Sequence, residues 1–239
     1  MHKLLLLLLA GFASLSASQI AAAQNRPIKK INDTDFIVRE VVPGNYHADY
    51  IERNRQSISY KHVLNFILDS LQNIEYQESL QALKHRIKKR FKRYNLLGLP
   101  KQWLPLYRYN DKYYLYEPCD GGALDRKRIT DSTMVYWGFE PYLEVLQQVK
   151  KLNDHTWYLE SYPKGIHSTT SRLTIHIIDP KNGIAVWEDT SEPPKYRYQL
   201  CVAKEKAANF DMVVDYCPDV RSSEFMFDKI DYAALLKGK

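Results

Sequence analysis

From Trp103 onward the chain breaks about every ten residues at turn-forming sequence, and that spacing excludes most folds. Between the breaks, apolar and polar residues alternate with the period of strands that bury one face. Residues 104–109, 113–117, 129–137, 143–151, 156–162, 172–178, 184–189, 195–203, 211–217 and 224–227 carry this strand pattern. Their links include Asn110-Asp111-Lys112, Asn153-Asp154-His155 and Asp179-Pro180-Lys181-Asn182-Gly183. The last is the clearest hairpin signal, because proline fixes one dihedral and Asn-Gly accepts positive φ. No helical segment separates the strands, so the spacing predicts an antiparallel up-and-down meander of about ten strands. That many short strands curl into a barrel or a strongly curved sheet.

Before residue 101 the period is different. Phe36-Ile37-Val38 and Val41-Val42 form an extended segment that stops at Pro43-Gly44. Val63, Phe66, Ile67, Leu71 and Ile74 then recur at three- and four-residue steps. Leu80, Leu83, Ile87, Phe91 and Tyr94 make a second stripe that ends near Gly98 and Pro100. Two such stripes predict a helical hairpin covering one end or face of the β structure. The fold class is therefore α+β, mainly β, with a helical N-terminal region over 24–100. An antiparallel β-barrel-like domain follows over 101–239, with a terminal helical turn over 232–236.

Residues 1–23 read as a secretory signal peptide: Lys3, an apolar block from Leu4 to Leu9, and Ala21-Ala22-Ala23 for cleavage. The mature chain is expected to start at Gln24, to be secreted or periplasmic, and not to be transmembrane once processed. Apolar residues make up 45% and charged residues 26%, which fits a packed globular protein rather than a disordered one.

An oxidising compartment permits a disulfide among Cys119, Cys201 and Cys217. A hairpin centred on Asn209 would set Cys201 opposite Cys217 and leave Cys119 over. The alternatives are three reduced thiols, or Cys119 taking one of the partners. The histidines of the expected mature chain, His47, His62, His85, His155, His167 and His176, are scattered, with no H-x-H, H-E-x-x-H or C-x-x-C unit. No metal site and no cofactor is predicted.

The formal charge is +6, and seven cations crowd between Lys84 and Arg93, so the basicity is local. Lys88, Lys89 and Lys92 are the candidates for contact with an anionic envelope surface. The plainer reading makes them the solvated side of a helix. Nucleic acid is not an expected partner, since no recognised nucleic-acid motif accompanies the run. The chain has 18 Tyr, 8 Phe and 4 Trp. Tyr107, Tyr114, Tyr136, Trp137, Trp157, Tyr196 and Tyr198 are the candidates to line a cavity for a small apolar or amphipathic ligand. The alternative is that these rings fill a β core. His176 shares a strand face with Arg172 and Thr174. Residues 117–125 read as a turn, without the alternating Asp/Asn series of a calcium loop.

G-x-S-x-G, Walker and dinucleotide motifs are absent from the sequence. Three functions follow in order: a non-enzymatic ligand-binding barrel, an envelope interaction module using the basic helix or a sheet edge, and a hydrolase with distant residues assembled into a site. The strand count resembles that of lipocalin-type barrels. The Gly-x-Trp that opens such barrels is missing near Trp103, so no family is assigned.

Overall fold

The computed structural model describes residues 28–42, 45–88, 90–119, 124–137, 142–162, 170–218 and 224–237. The segment read as a signal peptide lies outside these residues, as do Lys89 and His167. Three strands come first: β1 (Lys29–Ile31), β2 (Thr34–Val42) and β3 (Asn45–Glu52). The helices α1 (Ile58–Val63) and α2 (Ser70–Ile87) follow. Next come β4 (Gln102–Pro105), β5 (Tyr107–Tyr109), β6 (Lys112–Glu117), β7 (Arg126–Ile129) and β8 (Thr133–Trp137). Four more strands succeed them: β9 (Tyr142–Asn153), β10 (Thr156–Ser161), β11 (Ser171–Asp179) and β12 (Ile184–Asp189). After β13 (Tyr198–Ala203), a 3-10 turn (Lys204–Asn209) leads to β14 (Asp211–Tyr216), and α3 (Tyr232–Lys237) comes last.

Eight strands close a barrel in the order β10-β11-β12-β13-β4-β7-β8-β9, with all neighbours antiparallel. The other six form an open sheet, β1-β2-β3-β14-β6-β5, in which β14 runs parallel to β6. The chain thus leaves the barrel twice, and the single meander expected from the sequence becomes a barrel with a second sheet. Residues 104–109 alternate like one strand but are split at Leu106 between β4 and β5. The Leu106 amide still donates to the Leu200 carbonyl at 2.8 Å, so the ladder runs to the crossing point. Residues 129–137 are a tight hairpin, in which the Thr130 hydroxyl accepts from the Thr133 amide at 2.9 Å. Residues 224–227 carry no named strand; the neighbouring Asp228 makes a single bridge to Arg108.

The predicted helical hairpin is not shown among the described residues. The region over 24–100 begins with three strands, and its helix starts afresh at Ser70. Asp69 accepts from the Gln72 amide at 2.8 Å while the Gln72 side chain accepts from the Asp69 amide at 3.2 Å, a capping box that fixes the start. Leu71 and Ile74 consequently lie exposed on α2 rather than on a buried stripe. Lys88, with φ +54°, ends the helix in the left-handed conformation. Phe91 and Tyr94 therefore leave it, and Leu96 and Leu99 join the cluster inside the barrel. The Tyr94 amide donates to the Asp131 carbonyl at 2.7 Å, which ties this segment to the β7–β8 turn.

Strand alternation sorts the side chains into three cores. Inside the barrel, Trp103, Ile129, Met134, Trp157, Ile175 and Trp187 pack together. Between the barrel flank and the open sheet lie Leu104, Val135 and Trp137 against Leu115, Met212 and Val214, joined by Tyr60 and Phe66. The far face of the open sheet buries Ile51, Tyr114 and Val213, with Phe225 and Phe227 packed on them.

The disulfide joins Cys119 to Cys217, with 5.5 Å between Cα atoms, and corrects the pairing of Cys201 with Cys217. The physical reason is topological. Cys201 lies in the barrel strand β13, and the 3-10 turn carries the chain away to the other sheet before Cys217. There β14 lies beside β6 with Val214 opposite Glu117, which brings the residues following each strand within reach of one another.

Candidate functional site at the barrel mouth

The inward face of β7 presents Lys127 and Ile129 in alternation, so the strand delivers an ammonium group to the barrel interior. Lys127 is buried, and its Nζ donates to the Asp125 carboxylate at 2.9 Å and to the Asp125 carbonyl at 3.3 Å. It also donates to Gln199 Oε1, and Gln199 Nε2 in turn donates to Asp125 Oδ2 at 2.6 Å. The ammonium lies 5.8 Å from the Tyr136 ring centre and 5.6 Å from that of Trp187, close enough for cation–π attraction to both. A buried ammonium costs several kcal/mol unless it is paired and hydrogen-bonded, and both conditions are met here. Asp125 holds this arrangement with φ +35°, a backbone conformation that non-glycine residues rarely adopt.

An open pocket of about 180 Å³ lies over this cluster. Its walls include the rings of Tyr136, Tyr142, Trp187 and Tyr196, and its polar groups include Asp189, Glu192 and Arg197. Tyr136 and Tyr142 stack with centroids 4.5 Å apart. Burial pushes the Tyr136 hydroxyl well above its ordinary range, and the neighbouring Glu144 carboxylate adds to the effect. Below the pocket the barrel is filled, with Trp103 and Trp187 meeting edge to face at 5.7 Å. Cys201 is also inside, and burial raises its thiol to about 12.

Of the seven aromatic candidates, the pocket brings together Tyr136 and Tyr196. Trp157 is buried in the barrel interior. Trp137 and Tyr198 belong to the outward face, where Trp137 meets Phe66 at 5.8 Å and Tyr198 stacks on Tyr232 at 5.4 Å. Adjacent residues of one strand cannot share a face, which is why Tyr136 and Trp137 part company. Tyr107 and Tyr114 lie on the open sheet, Tyr107 stacked on Phe227 at 4.5 Å. His176 sits outside the barrel, with Nε2 3.3 Å from Glu188 Oε2.

Sequence reasoning missed Asp125, Lys127, Trp187 and Gln199. The signal for Lys127 was a cation sharing a strand face with an apolar residue. For Gln199 it was the polar face of residues 195–203, which turns out to point inward.

The basic run borders a larger groove of about 550 Å³ between α2 and the β7–β8 turn. Lys84, Lys88, Arg90 and Arg93 line it together with Tyr76 and Phe91. Lys92 instead stands over the Tyr94 ring at 4.9 Å. No helix among the described residues is long and apolar enough to cross a membrane. No protein-family model, curated protein or solved structure matches the chain.

Proposed function

We propose that this is a non-enzymatic, extracytoplasmic binding protein that holds a small amphipathic ligand at the barrel mouth. The observation that carries the reading is the buried Lys127, clasped by Asp125 and Gln199 between two aromatic rings on the pocket floor. A barrel that served stability alone would do as well with apolar side chains there, since buried ion pairs seldom improve on them. Aromatic walls favour the apolar part of a ligand, and Asp189, Glu192 and Arg197 suit hydroxyl or ammonium groups at its polar end.

Size narrows the ligand. The pocket, at about 180 Å³, is smaller than those that hold drug-sized molecules, which run from about 300 Å³ upward. Three tryptophans buried inside the barrel, Trp103, Trp157 and Trp187, occupy the space a long acyl chain would need. Cysteine chemistry has little support: Cys119 is in the disulfide and the Cys201 thiol is buried. The disulfide suits an oxidising compartment, where such bonds persist.

The test is intrinsic fluorescence, with Trp187 on the pocket wall as reporter, titrated with monosaccharides, short-chain amines and amino acids. A saturable change that is lost in Tyr196→Ala supports the reading. No response to any of them, or a response that survives Tyr196→Ala and Trp187→Phe, would overturn it.

A second reading rests on a separate observation. The groove beside α2 has four cations, and Leu71 and Ile74 are exposed earlier on the same helix. That combination suits an anionic envelope surface. Sedimentation with phosphatidylglycerol vesicles, and its loss in Lys88→Glu/Arg90→Glu/Arg93→Glu, tests it. Equal sedimentation of that variant removes the basic groove from the account.

A further inference from the structure

On the open sheet, β3 and β14 run antiparallel with Asp49 directly opposite Asp215. Asp49 alternates with Ile51, and Asp215 with Val213, so both carboxylates lie on the face turned away from the barrel. His47, two residues before Asp49 on the same strand face, completes a convergent group. Its Nε2 is 3.0 Å from Asp215 Oδ1 and 3.7 Å from Asp49 Oδ1. The three donor atoms all lie within 4.8 Å of one another.

We propose that His47, Asp49 and Asp215 form a divalent transition-metal site. Donor spacing is the first support. Around a tetrahedral ion with bonds of about 2.0–2.2 Å, neighbouring donors sit roughly 3.3–3.6 Å apart. The two histidine separations bracket that range, and the carboxylate oxygens lie within 4.8 Å of one another. Burial is the second: the side chains of His47, Asp49 and Asp215 are 12%, 4% and 0% exposed, which limits competition from bulk water. A third is the outer shell. The Tyr116 hydroxyl donates to Asp215 Oδ2 at 3.2 Å, the kind of bond that orients a ligating carboxylate.

The donor set also selects the metal. One imidazole with two carboxylates suits zinc and its neighbours, whereas calcium and magnesium favour all-oxygen shells. Three protein ligands leave a fourth position for water. The site belongs to the open sheet and is independent of the ligand proposed for the barrel mouth. No sequence window contains it, because its third ligand lies 168 residues from the first.

The test is calorimetric titration of chelator-stripped mature protein with zinc chloride, followed by calcium chloride on a fresh sample. One tight equivalent of zinc and no comparable calcium uptake are expected. His47→Gln and Asp215→Asn should abolish that equivalent, and Tyr116→Phe should weaken it about 10- to 100-fold. Thermal melts add a second readout: zinc should raise the midpoint of the wild type and leave that of His47→Gln unchanged. His47 lies at the edge of the sheet core, so its variant keeps the test valid if Asp215→Asn fails to fold. Absence of a zinc equivalent in the wild type would overturn the proposal. So would undiminished uptake by His47→Gln, or calcium binding as tight as zinc.

Discussion

Cys201 points into the barrel, its Sγ 3.9 Å from Gln199 Oε1, and this orientation decides its chemistry. Buried and held as a thiol, it should not react with a thiol reagent in the native protein at pH 8. Denaturation without reductant should release one thiol, and reduction should release two more. Three thiols without reductant, or one that reacts quickly in the folded state, would contradict the pairing. Lys127 gives a second prediction. Lys127→Met keeps the length of the side chain but removes the ammonium that donates to both Asp125 and Gln199, at a cost of about 1–3 kcal/mol in denaturant melts. Adding Gln199→Leu should cost less than the two separate losses combined, because the groups share one network. At this scale the sequence held usable information. A lysine alternating with Ile129 is visible in β7, but Asp125 becomes meaningful only once β7 and β13 are both known to border the barrel mouth.

The β11–β12 hairpin was legible in sequence because its turn chemistry is local. Asp179 accepts from the Asn182 amide at 3.0 Å, and Gly183 takes φ +68°. A Cβ on Gly183 would sit 2.8 Å from Lys206 Cγ, on the 3-10 turn that leads out of the barrel. Gly183→Ala should therefore destabilise by about 1–2 kcal/mol in equilibrium unfolding, and a neutral result would mean the turn relaxes without cost. The disulfide acts on the open sheet. It closes a loop with a sequence separation of 98, and its removal in Cys119→Ala/Cys217→Ala should cost about 2–5 kcal/mol. Sheet membership was not legible, because a period of two reports which face a residue takes and not which neighbour the strand takes. The helix boundaries were not legible for a different reason. An apolar stripe was followed across Asp69, although Asp69-Ser70-Leu71-Gln72 carries the capping signal that restarts the helix there.

Taken as a whole, the molecule buries many groups that must stay neutral. Burial raises the hydroxyls of Tyr60, Tyr107, Tyr116 and Tyr136 above their ordinary range, that of Tyr232 to about 12, and the Cys201 thiol to about 12. Below the ordinary values, 9.0 for the thiol and 10.0 for tyrosine, folded and unfolded chains both keep these protons. Above them the unfolded chain ionises first, binds fewer protons than the folded one, and stability falls with rising pH. The denaturant midpoint should drop steeply between about pH 9 and pH 12, and a midpoint still level at about pH 11 would contradict this account. The barrel interior is packed with Trp103, Trp157 and Trp187, and its mouth is the place proposed for a ligand. Native mass spectrometry of mature protein purified from its own compartment, compared with Tyr196→Ala prepared identically, tests that claim most directly. The account predicts a small discrete adduct on the wild type that is lost on denaturation and depleted in the variant. A clean wild-type mass, or an adduct equally abundant on Tyr196→Ala, would contradict it.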